Sequence, residues 1–343
     1  MTKFIKMNNV GNNYFTDDSL AIRDIEPLML ANTMIPSIEA APTQPRRVLV
    51  VYNPTAGRHK RRRLIGVAER LERLGCAVTI QETAKRGDAE DFAARADTAL
   101  FDAVIAAGGD GTVNEVLNGL ALAGGGLALG VLPLGTANVL ACEIGLDPRD
   151  SEQVARAIAF GPARRVHLGT ANRRRFLLMA GAGLDAEVVA GLNVTLKRHA
   201  GKLAYVVEGL KQAVGYDFPI LTIRADGISY EGRMVVACKG RFYGGPFVAA
   251  PDANLEAPML EICVLPAAGV AGMLRYGIAL PLGKLTELPE VQVISAKSII
   301  VTGPRGAPVQ GDGDIIARLP AEIAIADETV NLICPEISAA AIN

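Results

Sequence analysis

The sequence is poor in the residues that build metal clusters and disulfide frameworks. Its five cysteines (Cys76, Cys142, Cys238, Cys263, Cys334) stand singly with no CxxC pair, and its three histidines (His59, His167, His199) lie far apart. That excludes a zinc-ribbon or disulfide scaffold and suits a reducing cytoplasm. An excess of one charge is also missing. With 35 basic and 36 acidic side chains the formal net charge is -1, whereas gripping nucleic acid calls for a strong basic excess. No nucleic-acid partner is expected, and any anion binding must be local. The N-terminus lacks the basic region, apolar core and cleavage site of a signal peptide in that order, which argues against secretion. A clean membrane span is absent as well. The uncharged run 117–135 approaches the necessary length, but Gly124, Gly125, Gly126 and Pro133 interrupt it.

What is present is globular. Half of the 343 residues are hydrophobic and 21% are charged, enough chain for two domains with their own cores. Residues 1–45 have weak periodicity, with a helical pattern over 18–31, and read as an extension. From Arg47 the rhythm changes. Segments 48–52, 78–80, 103–107 and 127–132 read as buried strands, and 89–96 and 113–122 as helices, an alternation that predicts a parallel α/β sheet. Beyond about Arg165 come short strand-like runs at 176–179, 220–223, 234–238, 260–265, 291–294, 299–301 and 323–325. These favour an antiparallel sandwich or barrel, with helical insertions at 204–214 and 269–280.

Gly108-Gly109-Asp110-Gly111-Thr112 lies between a buried strand and a helix. Glycine lets backbone approach phosphate oxygens, and a helix start offers unpaired N–H groups and a positive dipole end. Asp110 adds a carboxylate where Mg²⁺ on phosphates could be held, directly or through water. A tight turn with Asp110 as a helix cap is the alternative, and it leaves the paired glycines unexplained. Asn53-Pro54 taken alone is also an ordinary turn, and Gly135-Thr136 a helix entry with Thr136 as cap.

Four blocks in order resemble the diacylglycerol kinase catalytic-domain family, which includes sphingosine, ceramide and bacterial lipid kinases. They are Asn53-Pro54-Thr55-Ala56-Gly57, residues 108–115, residues 132–138, and Gly311-Asp312-Gly313-Asp314. The resemblance implies an α/β N-terminal nucleotide-binding domain with a parallel sheet (46–165), an all-β sandwich-like lipid domain (166–335), and an active site in the cleft between them. Residues 336–343 are a tail. It implies an ATP site formed by Asn53, Pro54, Thr55, Ala56, Gly57, Thr83, Gly108, Gly109, Asp110, Gly111, Thr112, Val113, Asn114 and Thr136. The cofactors are ATP and Mg²⁺, with Asp110 organising the metal. Asp314 stands where the family has a glutamate thought to act as general base; an aspartate there requires a closer backbone or a water relay.

The expected reaction is therefore transfer of the ATP γ-phosphate to a lipid hydroxyl, diacylglycerol first, with sphingoid bases, ceramide or phosphatidylglycerol as other acceptors. A NAD kinase shares the glycine core but lacks the first and third blocks. A non-catalytic lipid-binding homologue is the rival from another class. The expected location is cytoplasmic, peripheral to the inner face of the membrane, with a homodimer left open. Many bacterial relatives hold a structural Mg²⁺ at an Asp-Gly turn, but the matching positions here are Ala257 and Pro258. That site is not expected, although Asp252, Glu256 and Glu261 could offer a shifted one. Gly181-Ala182-Gly183-Leu184-Asp185-Ala186 mimics a dinucleotide fingerprint without its parallel βαβ setting. The basic run 58–63 reads as a solvated helix face or an anion attractor, residues 173–175 as a hairpin turn, and 197–214 as the better membrane-surface helix.

Overall fold

A computed structural model describes residues 41–56, 58–191 and 215–336. The expected helices at 18–31 and 197–214, the extension up to residue 40, Gly57 and the tail from residue 337 lie outside the described residues. The described residues belong to one compact unit, Pro36–Asn343.

The first half builds four parallel strands in the order β2-β1-β3-β4: β1 (Arg47–Tyr52), β2 (Ala77–Glu82), β3 (Ala103–Gly108) and β4 (Ala128–Pro133). β3 is buried throughout and β1 and β4 nearly so, which is why they read as unbroken apolar runs rather than alternating ones. Each face of this sheet has its own cover. Val48, Val50 and Tyr52 pack on α1 (Arg58–Arg73) and α5 (Ser151–Phe160), while Leu49 and Val51 join the core containing α2 (Asp88–Ala94) and α3 (Asp110–Leu122). A short α4 (Val139–Glu143) follows β4. The start of α5 is fixed by Asp150, whose side chain accepts from the amides of Glu152 and Gln153, a cap worth about 1 kcal/mol.

The second half is antiparallel. One sheet runs β14-β13-β10-β7-β16-β17, comprising Gln292–Ala296, Leu260–Leu265, Met234–Cys238, Met179–Ala182, Pro308–Gly311 and Asp314–Arg318. It packs on strands β5 (Ala163–Ala171), β6 (Arg174–Phe176), β8 (Leu221–Ala225), β9 (Ile228–Gly232), β15 (Ser298–Thr302) and β18 (Ala321–Ile333), burying among others Phe176, Ile223, Val235, Ile262, Val309 and Ile323; β11 (Phe242–Tyr243) and β12 (Phe247–Val248) form a separate two-stranded ribbon. Helix α6 (Leu184–Gly191) follows β7, and α7 (Gly269–Ala279) follows β13.

Three features depart from the expectations. Segment 78–80 is a strand but not a buried one: β2 is the sheet edge, and Ile80 is exposed. The run 176–179 is not one strand: it breaks at Leu177 and Leu178, whose amides turn to the Asp312 carboxylate. The segment 323–325 belongs to a 13-residue strand, β18, that shifts register between Ile325 and Thr329 and then pairs in parallel with β4 through Leu332 and Leu129. The α/β sheet and the outer sheet of the sandwich are thus one ten-stranded sheet, and the boundary drawn at residue 165 falls inside β5.

Candidate active site

The loops after the four parallel strands emerge on one edge, the strands' C-terminal ends, where ligand crevices of open α/β sheets form. Asn53 follows β1, Thr83 follows β2, Gly109 follows β3 and Gly135 follows β4. Asn53 ties two of these loops together. Its Nδ2 donates to Thr112 Oγ1 at 3.1 Å, and its Oδ1 accepts from the amide and hydroxyl of Thr55 at 3.0 and 2.7 Å. Pro54–Ala56 form a 3-10 turn between β1 and α1. The Gly109 and Gly135 loops touch: a Cβ on Gly135 would lie 2.6 Å from Gly109 Cα, so no side chain fits there. Thr83 is buried and donates its amide to Tyr52 O, while Thr136 is exposed.

Asp110 opens α3, and the residue capping that helix is Gly109 rather than Asp110. Its Oδ1 accepts from the Val139 amide at 2.8 Å, joining the start of α3 to the start of α4. Burial raises its pKa, and the Asp312 charge adds to the rise. The α4 cap is Asn138, with φ 47°, and not Thr136 as the sequence suggested: Asn tolerates the left-handed backbone that a β-branched threonine resists.

Gly311-Asp312-Gly313-Asp314 forms a two-residue hairpin turn between β16 and β17. Asp312 and Gly313 have φ 49° and 84°, the backbone that Asp-Gly adopts in tight hairpins. The two carboxylates of this block have different surroundings. Asp312 is a pin: it accepts from the amides of Leu177, Leu178 and Met179 at 2.7 to 3.1 Å and from Asn114 Nδ2 at 3.0 Å. Burial still pushes its pKa up. Asp314 opens β17 with its carboxylate partly exposed, facing Arg86 at 3.5 Å and the first turn of α3, where a Cβ on Gly111 would meet its Oδ2 at 3.3 Å. Val113 is buried in the α/β core on the same helix. A carboxylate carried by the sandwich therefore lies against the glycine loop carried by the parallel sheet.

Several residues near this junction were not singled out as site residues from sequence. Arg86 precedes α2 and reaches Asp314. Gln310 Oε1 accepts from the Gly313 amide at 3.1 Å, and its Nε2 donates to Asp185 Oδ2 at 3.2 Å, where Tyr243 also donates. Asp185 is buried, which raises its pKa to about 6. The fingerprint-like block 181–186 thus contributes a carboxyl behind the Asp-Gly turn; β7 lies in the antiparallel sheet, so the setting of a dinucleotide fold is absent. The sequence signal was an acid two residues after the Gly181-Ala182-Gly183 run at a strand end.

The chain was compared with known proteins. Residues 47–171 match the diacylglycerol kinase catalytic domain, and residues 179–334 match the YegS C-terminal NAD kinase beta sandwich-like domain. A diacylglycerol kinase of Staphylococcus saprophyticus is 31% identical over 278 residues, covering 80% of this chain and 91% of that protein. The chain belongs to the diacylglycerol kinase catalytic-domain family. A diacylglycerol kinase of Bacillus subtilis is 29% identical over 294 residues, 85% of this chain and 97% of that protein. In fold, the chain resembles the crystal structure of a diacylglycerol kinase from Bacillus anthracis, with a TM-score of 0.61 at 21% identity over 86% of this chain and 99% of that one. Membership of the diacylglycerol kinase family makes the protein a lipid kinase, a class of enzyme that uses ATP and, in general, a divalent metal.

Among the described residues no three His, Cys, Asp or Glu side chains converge as a metal site. For a Mg²⁺ carried by nucleotide phosphates, the carboxylate at the glycine loop is that of Asp110, partly buried at the start of α3. Of the carboxylates considered for a shifted structural site, Glu256 pairs with Arg164 at 3.2 Å, Glu261 accepts from Ser295 Oγ at 2.7 Å, and Asp252 is exposed. No helix among the described residues is long and apolar enough to cross a membrane.

Proposed function

We propose that the protein transfers the γ-phosphate of Mg-ATP to the hydroxyl of diacylglycerol, giving phosphatidic acid. The observation that carries this reading is the approach of Asp314 to Gly111, which sets a partly exposed carboxylate beside the loop suited to phosphates. In this reading the loops at Asn53 and Gly108 to Thr112 hold the phosphates through backbone N–H groups and the positive end of α3. Bound Mg²⁺ would neutralise charge on the phosphates. Asp110 would orient that ion from its fixed position against Val139. Asp314 accepts the proton of the attacking lipid hydroxyl, and Arg86, beside it, attracts the transferred phosphate.

The lipid must be reached from a bilayer, and one surface supports that. Val270, Leu274, Ile278 and Leu282 are 41, 52, 56 and 65% exposed and recur every four residues along α7 and the turn after it. No acidic residue occurs from 262 to 286, where Lys284 and Arg275 stand, Arg275 pairing with Glu290 at 3.0 Å. An apolar stripe with Lys284 beside its end fits the surface of an anionic bilayer, and in this reading the protein works at the inner face of the membrane.

The test is ATP-dependent phosphorylation of a panel holding diacylglycerol, ceramide, a sphingoid base, phosphatidylglycerol and NAD, with mass detection. Wild type is expected to phosphorylate diacylglycerol, and Asp110→Asn and Asp314→Asn to lose most of that activity. Undiminished activity in both variants would remove the assigned roles, and phosphate appearing on NAD alone would overturn the reading.

A further inference from the structure

Lys239 follows β10 directly and is completely buried, among the largest fully buried side chains of the described residues. A buried ammonium is costly unless its charge is met. Here it is met without a carboxylate. Nζ donates to Asn254 O at 2.8 Å, to Met259 O at 3.2 Å and, in a close contact, to Ala257 O. Only burial perturbs its pKa, which falls to about 8, so the group carries its charge at neutral pH. An ammonium has three N–H donors and the loop offers three carbonyl acceptors; the neutral amine, with two donors, could not serve all three.

These carbonyls enclose Ala257 and Pro258, the two positions where the family resemblance would put the metal-binding Asp-Gly turn. Neither residue offers a side-chain oxygen, and Mg²⁺ seeks six oxygen ligands with carboxylates among them. We propose that the carbonyl cage of the 254–259 loop is a cation site whose resident cation is the chain's own Lys239 ammonium, in place of a divalent ion. The consequence is that this loop carries no metal requirement.

The tethered cation also connects to the catalytic turn. The amides of Lys239 and Gly240 both donate to Leu178 O, at 2.7 and 2.9 Å, and the Leu178 amide donates to Asp312 Oδ1 at 2.9 Å. The 254–259 loop is held on its other side by Leu255 O, which accepts from the His167 amide, and by the Glu256–Arg164 pair. Lys239 thus stands between this loop and the 177–179 segment that Asp312 pins.

The test is thermal unfolding of the full chain without nucleotide, in chelator and then in millimolar Mg²⁺. Wild-type Tm is expected to be the same in both. A rise of several degrees with Mg²⁺ that persists in Asp110→Asn would overturn the proposal. Lys239→Met, which keeps the length and loses the charge, is expected to lower Tm by about 5–10 °C, and an unchanged Tm would again overturn it. In Lys239→Gly, propylammonium chloride is expected to restore part of the loss where equal sodium chloride does not; equal recovery in both salts counts against a cation cage. If Lys239→Gly yields no folded protein, the wild-type Mg²⁺ comparison alone decides.

Discussion

Asp314 and Gly111 meet across the junction of the two halves, with Asp314 Oδ2 3.3 Å from the point where a Cβ on Gly111 would stand. Gly111 lies inside the first turn of α3, where alanine is the better helix former by about 1 kcal/mol. Gly111→Ala should therefore separate stability from catalysis. The added methyl displaces the carboxylate by a few tenths of an ångström while the helix gains. The expected outcome is an unfolding midpoint equal to or above wild type and a kcat lower by about tenfold, read from a melt and a steady-state assay on one preparation. Unaltered kcat would show that the Asp314 position has slack.

Asp312 and Asp314 are two residues apart and should respond in opposite ways to the same substitution. Asp312→Asn leaves one side-chain oxygen for the donors that two oxygens now serve, and sets an amide against backbone N–H groups. It should cost about 2–4 kcal/mol of stability. Asp314→Asn should change stability by less than about 0.5 kcal/mol and reduce kcat by about 10²–10⁴-fold. Urea melts alongside turnover separate the two, and loss of stability in Asp314→Asn with intact kcat would reverse their roles.

Much of this arrangement was legible in the sequence because it is local. The continuous apolar runs of β1 and β3 announce buried parallel strands, the glycine loop sits between a strand and a helix, and Asp-Gly is a hairpin signal. What was not legible depends on residues far apart in the chain. The break at Leu177 and Leu178 is imposed by Asp312, more than 130 residues later. The length of β18 is hidden by the polar run Asp327-Glu328-Thr329, where the strand shifts register and continues. Lys239 looks like a surface lysine after an apolar strand; only the fold of the 254–259 loop over it reveals a buried charge.

Asp185 offers a test by pH. Its folded pKa, about 6, is raised by burial above the ordinary value of about 3.9 for an unfolded aspartate. The stability this group contributes is full below the unfolded value and is lost as pH rises through about 6, a change on the order of 3 kcal/mol. Asp185→Asn removes the titration. The stability of wild type minus that of the variant should therefore fall between pH 4 and 7 and level off above. Paired urea melts at pH 4.5, 5.5 and 7 measure it, and a difference independent of pH would show that the Gln310 and Tyr243 hydrogen bonds hold the carboxyl ionised throughout.

The apolar stripe on α7 separates membrane docking from chemistry. Leu274 and Ile278 are more than half exposed, so replacing them with serine removes little from the core, which α7 meets through Tyr276 and Ala279. Each side chain inserted into a bilayer is worth about 1.5–3 kcal/mol, so the double variant Leu274→Ser/Ile278→Ser should bind phosphatidylglycerol-containing vesicles at least about 100-fold more weakly. Turnover of a short-chain diacylglycerol in detergent micelles, where no bilayer need be reached, should stay near wild type. Co-sedimentation with vesicles and the micelle assay give the two readings. Equal vesicle binding by wild type and variant would mean that this face does not meet the membrane, and a shift in sedimentation mass for the variant would assign it to contact with a second copy of the chain.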